Sequence, residues 1–222
     1  MEAPARFSID LLQPHVVYKN AAGTRLPGVT TILSVINKPA LVAWANAEGL
    51  AGRDTSKTVQ RAADIGTVTH ARIEAYVRGM ELDESELPRD VVDRSQNGAL
   101  RFMDFWQKAG YELSECELAM VSESWQVGGT LDILARNRDG GLDLLDVKTS
   151  KRIYPEHRIQ ACAYAAIYEE AHGQPISGVW IARVGKEVQD DIEVLPLGNR
   201  AACVDAFTCA LNLYRALNRV GR

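Results

Sequence analysis

The sequence predicts an α/β fold: a central mixed β-sheet flanked by helices, with a hairpin and extra helices ahead of it. Three observations carry that expectation. Three apolar strand-like runs follow one another at about 111–121, 125–136 and 142–149. Helical periodicity stands immediately before and after them. Two further strand-like segments, about 177–184 and 187–195, lie beyond the second of those helices. That order implies a sheet whose faces are covered by helices. The 222 residues can bury one full core. The chain therefore reads as a single domain, with a core at about 56–196, an N-terminal extension over 1–55 and a C-terminal helix at 199–219.

Each element has a local cause. His15-Val16-Val17-Tyr18 and the run from Arg25 to Val29 flank Asn20-Ala21-Ala22-Gly23, a turn-like stretch that predicts a small hairpin. Thr30 or Thr31 is placed to cap a short helix reaching about Asn37. Pro39 starts a second helix with Leu41, Trp44 and Ala45 on one side. Ser56 opens a long helix to about Val77, closed by Gly79. Its Ile65, Val68, Ile73 and Val77 form an apolar stripe to set against the sheet. The acidic, turn-rich stretch from Glu81 to Glu86 leads to Pro88 and a helix carrying Leu100, Phe102, Phe105 and Trp106, which ends at Gly110. Past the three strands, a helix spans about 156–171 with Gly173 beyond its end. No internal repeat or low-complexity tract interrupts this order.

Composition excludes some classes of function. At 46% hydrophobic and 24% charged, the chain has the make-up of an ordinary globular protein. No apolar run approaches the ~20 residues of a membrane span, and no basic-then-apolar leader opens the chain, so the cytoplasm is the expected compartment. A net charge of −4 argues against a surface coated uniformly for nucleic acid, but a local basic groove is compatible with it. Cys116, Cys162, Cys203 and Cys209 match none of the common zinc or iron–sulfur spacings and read as buried free thiols.

The chemistry concentrates in one hairpin. Asn137-Arg138-Asp139-Gly140-Gly141 is a turn signal between Leu131-Asp132-Ile133-Leu134-Ala135 and the run from Leu142 to Val147. Positions 132 and 146 are mirror-related about 139, so a symmetric hairpin sets Asp132 opposite Asp146. Opposed side chains stand ~4.5–5.5 Å apart at Cβ, where like charges repel. Such a pair requires a cation between the carboxylates or a raised pKa on one of them. Lys148 returns to the face of Asp146, ~7 Å along the strand. The alternative is ordinary strand chemistry, with Asp132 facing solvent, and a one-residue slip in the loop removes the opposition.

Neighbouring elements add polar groups, each with a plain structural reading beside the functional one. His70 and Glu74 share a face of the long helix. A neutral imidazole there is either a metal ligand or a satisfied structural group, and Glu74 either orients it or is a surface acid. Gln160 and Tyr164 also lie one turn apart, able to hold a phosphate or stack on a base, or to sit half-buried. Lys148, Lys151, Arg152, His157 and Arg158 make a basic run, either a phosphate-binding surface or a solvated loop.

In order along the chain stand Gly66, His70 and Glu74; Gly128, Gly129 and Asp132; Asp146 and Lys148; and Gln160 and Tyr164. This succession resembles the PD-(D/E)XK nuclease superfamily, in particular its RecB-like exonuclease branch. That branch carries a helical Gly-x-x-x-His-x-x-x-Glu, a Gly-Gly-x-x-Asp strand, an Asp-x-Lys strand and a Gln-x-x-x-Tyr helix. Pro27-Gly28-Val29-Thr30-Thr31-Ile32-Leu33 and the tryptophan-bearing helix after it resemble small phage and prophage members, and the likeness spans about 25–170. The resemblance implies a restriction-endonuclease-like core and a DNA exonuclease of phage or bacterial replication, recombination or repair. It further implies magnesium or manganese bound by His70, Asp132, Asp146 and the carbonyl of Val147. Lys148 would position the attacking water or stabilise the phosphorane, and Gln160 and Tyr164 would contact the strand. The cysteine set that some relatives use for an iron–sulfur cluster is missing, so no such cluster is expected. A structure- or site-specific endonuclease and a non-catalytic DNA-binding subunit are the competing readings.

Overall fold

The turn at 137–141 organises the sheet. Asn137 Oδ1 accepts from the N–H groups of Asp139 (3.1 Å) and Gly141 (2.9 Å), and Gly140 takes a φ of 80°, which glycine adopts without Cβ strain. A computed structural model describes residues 5–11, 16–186 and 192–221. In chain order the elements are β1 (Arg6–Ser8), β2 (Tyr18–Lys19), β3 (Arg25–Leu26), α1 (Val29–Leu33), α2 (Pro39–Leu50), α3 (Thr55–Arg78) and β4 (Glu81–Asp83). They continue with α4 (Arg89–Ala109), β5 (Glu112–Ser122), β6 (Val127–Arg136), β7 (Leu142–Lys148), α5 (Pro155–His172), β8 (Gly178–Val184), β9 (Ile192–Pro196) and α6 (Arg200–Val220).

Among the described residues β5-β6-β7-β8-β9 form a five-stranded mixed sheet, antiparallel except where α5 carries the chain across to set β8 parallel to β7. Helices cover both faces. Val29, Leu131, Leu144, Ile167 and Phe207 belong to the core under α1, α5 and α6. Ile73, Phe102, Ile133, Leu145 and Val184 belong to the core under α3 and α4. The α/β fold with a helix-flanked mixed sheet is therefore as predicted.

Several local expectations are corrected. The α1 cap is Gly28 rather than Thr30 or Thr31, and the helix ends at Leu33, followed by tight turns to Ile36. The chain is strapped to β6 at that point, since Gly128 N–H donates to Pro27 O (3.0 Å), and both threonines fall inside the helix. Asp54, not Ser56, caps α3, its Oδ1 accepting from the Ser56 N–H (2.9 Å). The N-terminal hairpin is reduced to two residue pairs, Tyr18↔Leu26 and Lys19↔Arg25. His15 and the start of the strand expected at 187–195 lie outside the described residues. The stretch expected as turns after Gly79 contains β4, paired in parallel with β1. The apolar stripe of α3 divides: Ile73 joins the sheet core, whereas Ile65 and Val68 pack with Val91 in a separate cluster flanked by Ile9, Leu11, Leu82 and Leu87. Cys116 and Cys162 are buried, Cys203 is partly so, and Cys209 is exposed.

Gly128 and Gly129 are explained by what packs on them. A Cβ on Gly128 would overlap the Tyr18 side chain, and one on Gly129 would lie 2.6 Å from Tyr164 Cε1. Two tyrosines thus press on consecutive residues of β6, and a side chain at either position would push one of them away. Gly129→Ala is expected to destabilise the fold by ~1–3 kcal/mol through overpacking. The urea-denaturation midpoint checks this, and an unchanged midpoint would refute the close approach.

Candidate functional site

Strict alternation along β6 breaks at Asp132. Leu131 and Leu134 face the core under α5, whereas Ile133 and Ala135 face the core under α3 and α4. Across the ladder, Cys116↔Ile133 and Leu118↔Leu131 bracket Glu117, which takes a φ of 52°. A non-glycine residue in that region is strained by ~1–3 kcal/mol, and such strain concentrates at functional sites. On the other side of Asp132, the paired register with β7 runs to Ile133↔Leu145. There the Val147 N–H donates to the carboxylate itself, Asp132 Oδ2, at 2.6 Å.

His70 arrives from α3. One turn earlier, a Cβ on Gly66 would stand 2.9 Å from Thr149 Oγ1, so the missing side chain lets the helix approach the loop after β7. His70 Nδ1 then lies 3.9 Å from Asp132 Oδ1 and 4.0 Å from Glu117 Oε1. One ligand atom from each of His70, Glu117 and Asp132 lies within 4.8 Å of the others. That span is close to the ~4 Å across an octahedral magnesium shell. The three line a groove of about 710 Å³ together with Thr30, Gly66 and Glu74.

Asp146 lies behind them at 0% exposure, with Oδ2 2.6 Å from Lys148 Nζ. This is an ion pair without hydrogen-bond alignment, and neither carboxylate oxygen has a hydrogen-bond partner. A sealed, unsatisfied carboxylate is costly. Beside two further carboxylates and an imidazole, it fits a hard divalent cation such as magnesium or manganese.

The electrostatics agree with that donor set. Burial, with the charges of Asp132 and Glu74, pushes the Glu117 carboxyl up to about 8. Its side chain is 37% exposed, so solvent screens part of this effect and Asp146 carries more weight. Burial lifts Asp146 to about 7, only partly offset by Lys148, with Asp132 adding to the rise. Burial pulls Lys148 down, but Asp146 and Asp132 outweigh it and hold the ammonium charged. Burial lowers His70 against the opposing influence of Asp132 and the Val147 carbonyl, which leaves the imidazole neutral and able to bind a metal.

The remaining sequence candidates take varied places. Glu74 accepts from Arg78 Nε (2.8 Å), and Arg78 also donates to the Cys116 carbonyl (2.7 Å). Tyr164 is 5% exposed, its ring against Gly129. Gln160 Nε2 donates to Tyr164 Oη (2.7 Å) and to Thr30 Oγ1 (3.2 Å), linking α5 to the groove wall. Arg152 stacks over the Tyr154 ring at 5.1 Å, and Arg158 and Lys151 are exposed; none of the three lines the groove. His157 Nδ1 accepts from the Tyr154 N–H (3.3 Å), and burial with nearby Lys148 lowers it to about 4.

Sequence reasoning missed Glu117. It reads as one acid among Glu112, Glu115 and Glu117 on a strand, and the one available signal was its cross-strand position facing Asp132.

No family model matches the chain, and no curated protein matches it. Among solved structures, a protein of Eubacterium rectale named as a candidate exonuclease aligns over 69% of this chain and 66% of its own length, at 14% identity and a TM-score of 0.47. The aligned region therefore spans just under two thirds of that protein. An alkaline exonuclease of Laribacter hongkongensis aligns over 72% of this chain and 90% of its own, at 14% identity and a TM-score of 0.34. Its complex with dAMP gives 14% identity and 0.33 over the same shares. At these values the likeness is one of fold alone.

The raised carboxyls set a pH dependence. Between the ordinary carboxyl range and about pH 7–8, the folded chain keeps protons on Asp146 and Glu117 that the unfolded chain has lost. Metal-free stability is therefore expected to fall as pH rises through that window. A divalent cation replaces those protons, so its stabilising effect should grow with pH. Thermal melts at about pH 6 and pH 8.5, with EDTA or with magnesium, test the sign. A magnesium-induced rise in Tm that is no larger at the higher pH would contradict this assignment.

Proposed function

We propose that the protein is a divalent-metal-dependent nuclease that hydrolyses phosphodiester bonds in DNA, acting as an exonuclease at strand ends in phage or bacterial replication, recombination or repair. The observation that carries this reading is the meeting of His70, Glu117 and Asp132 in one groove, beside the buried Asp146–Lys148 pair. His70, Glu117, Asp132, Asp146 and the Val147 carbonyl would hold magnesium or manganese, which supplies an acidified water and offsets phosphate charge.

The chain's own groups supply the rest. Lys148 places a fixed ammonium where a phosphorane gains negative charge, and Asp146 keeps that ammonium charged and aimed. The Val147 N–H pins one oxygen of Asp132, which leaves the other free to bind. Neutral His70 contributes a lone pair without adding repulsion between cations. Tyr164 Oη and Thr30 Oγ1 accept from the Gln160 amide, which ties α5 to the groove wall beside the path proposed for a strand. Lys151, Arg152 and Arg158 add positive charge on the loop and helix after the site, where a polyanion benefits from it.

End-labelled DNA incubated with magnesium is expected to be degraded, while closed circular DNA survives. Cutting of closed circles would identify an endonuclease instead. Lys148→Ala and Asp146→Asn are each expected to lower kcat by ~10²–10³-fold. Manganese binding by calorimetry should persist in Lys148→Ala. A folded protein that leaves all of these substrates intact with either metal would overturn the nuclease reading.

A further inference from the structure

The helix α6 carries two apolar strips, and the core uses one of them. Phe207, Ala210 and Leu211 are buried and pack the helix onto the core that it shares with α1 and α5. On another side, Ala202, Ala206, Cys209, Leu213, Ala216 and Val220 follow one another at spacings of four, three, four, three and four. That alternation keeps all six on one side of a helix. None of the six is buried. Leu213 is 48% exposed, Val220 85%, and Leu217 beside them 54%. A helix that packs on one core needs one apolar strip, and the second has no partner within the single chain among the described residues.

The spacing of the outer strip is the same read from either end, so the strip can match a reversed copy of itself. Laid antiparallel about a two-fold axis level with Leu211, Ala202 meets Val220, Ala206 meets Ala216 and Cys209 meets Leu213 of the second copy. The bulkier Leu213 and Val220 each meet a smaller side chain, and no layer sets bulk against bulk. Charge fixes the same orientation. Asp205, Asn212 and Arg219 recur every seven residues along one border of the strip, all exposed. Antiparallel pairing brings Asp205 beside Arg219 of the second copy, twice by symmetry, with the two Asn212 amides near the axis. Parallel pairing brings neither charge to its opposite. Within the chain neither Asp205 nor Arg219 forms an ion pair among the described residues. Arg215 is engaged elsewhere, donating to the Trp125 carbonyl (2.6 Å).

We propose that the outer strip of α6 is an interface with a second copy of this chain, the two helices packing antiparallel and oriented by the Asp205–Arg219 pairs. From Ala202 to Val220 the strip runs ~27 Å along the helix. One pair of helices buries less than the ~1,200 Å² of a standard interface, so the dimer is a weak one, with a Kd of ~10 µM. No residue of α6 lines the metal groove, and α3, which carries His70, packs against the other core. Association through α6 therefore leaves both grooves open, and dimerisation and hydrolysis are separable.

Sedimentation velocity of the full chain from ~1 to ~300 µM is expected to show a monomer–dimer equilibrium. Leu213→Glu places a charge inside the strip and should raise the dimer Kd by ~100-fold. Asp205→Arg and Arg219→Asp each set like charges side by side at both ends of the pairing, and each should raise it by ~10-fold. An equimolar mixture of those two variants pairs opposite charges again and should associate as well as the unaltered protein. All three positions are exposed in the single chain, so the Tm of dilute protein should stay where it is. A chain that remains monomeric at ~300 µM, a dimer indifferent to Leu213→Glu, or a mixture that associates no better than either charge variant alone would overturn the proposal.

Discussion

The hydrogen bond from the Val147 N–H to Asp132 Oδ2 decides where the sheet stops and the site begins. Up to Ile133↔Leu145 the two strands pair as a regular hairpin. One step further, a side-chain oxygen takes the place that a backbone carbonyl holds in the ladder. Had regular pairing continued, two carboxylates would stand directly opposite each other and repel. Instead Asp132 bends toward the β7 backbone with one oxygen and offers the other to His70, 3.9 Å away. Asp146 is left in the interior beside Lys148. The repulsion is thereby spread over a cluster that a cation and an ammonium can neutralise from two sides.

That cluster is a liability to the fold. It places a sealed carboxylate without hydrogen bonds, a glutamate in left-handed backbone geometry, and the charge of Asp132, which helps to raise both Glu117 and Asp146, in one small volume. The surrounding cores bear the cost: Leu131, Leu144 and Ile181 seal one side, and Ile133, Leu145 and Val147 the other. Local instability of this kind persists only where packing over-determines the geometry. The two aromatic rings on Gly128 and Gly129 belong to that over-determination, since they hold β6 in place just before the alternation breaks.

Much of this was legible in the sequence because the hairpin turn is chemically explicit. Asn137 and the two glycines fix the register, and register fixes which residues oppose Asp132 and Asp146. Helix ends at Gly79, Gly110 and Gly173 were legible for the same reason, each adopting the left-handed conformation that glycine favours. What escaped was whatever depends on contacts between distant segments. The β1–β4 pair joins residues 75 apart over three positions, too short for any periodic signal. Gly28 caps α1 because the preceding chain is tied to β6, which no local pattern encodes. Glu117 stood out from its neighbouring acids only by its cross-strand position, because glutamate does not advertise the positive φ that it adopts. Tyr164 read either as a ring stacking on a base or as a half-buried residue, and the fold turns the ring inward with its hydroxyl accepting from Gln160.

The 24 residues of α3 are anchored to the fold at two separate places. Its C-terminal half is anchored to the sheet core through Ile73 and carries His70 and Glu74. Its N-terminal half carries Thr58 and Arg61 and is anchored separately, through Ile65 and Val68 against Val91 and the apolar residues about β1 and β4. The small satellite core thus fixes the start of α3 independently of the sheet core, and the helix carries that constraint on to His70 at ~1.5 Å per residue.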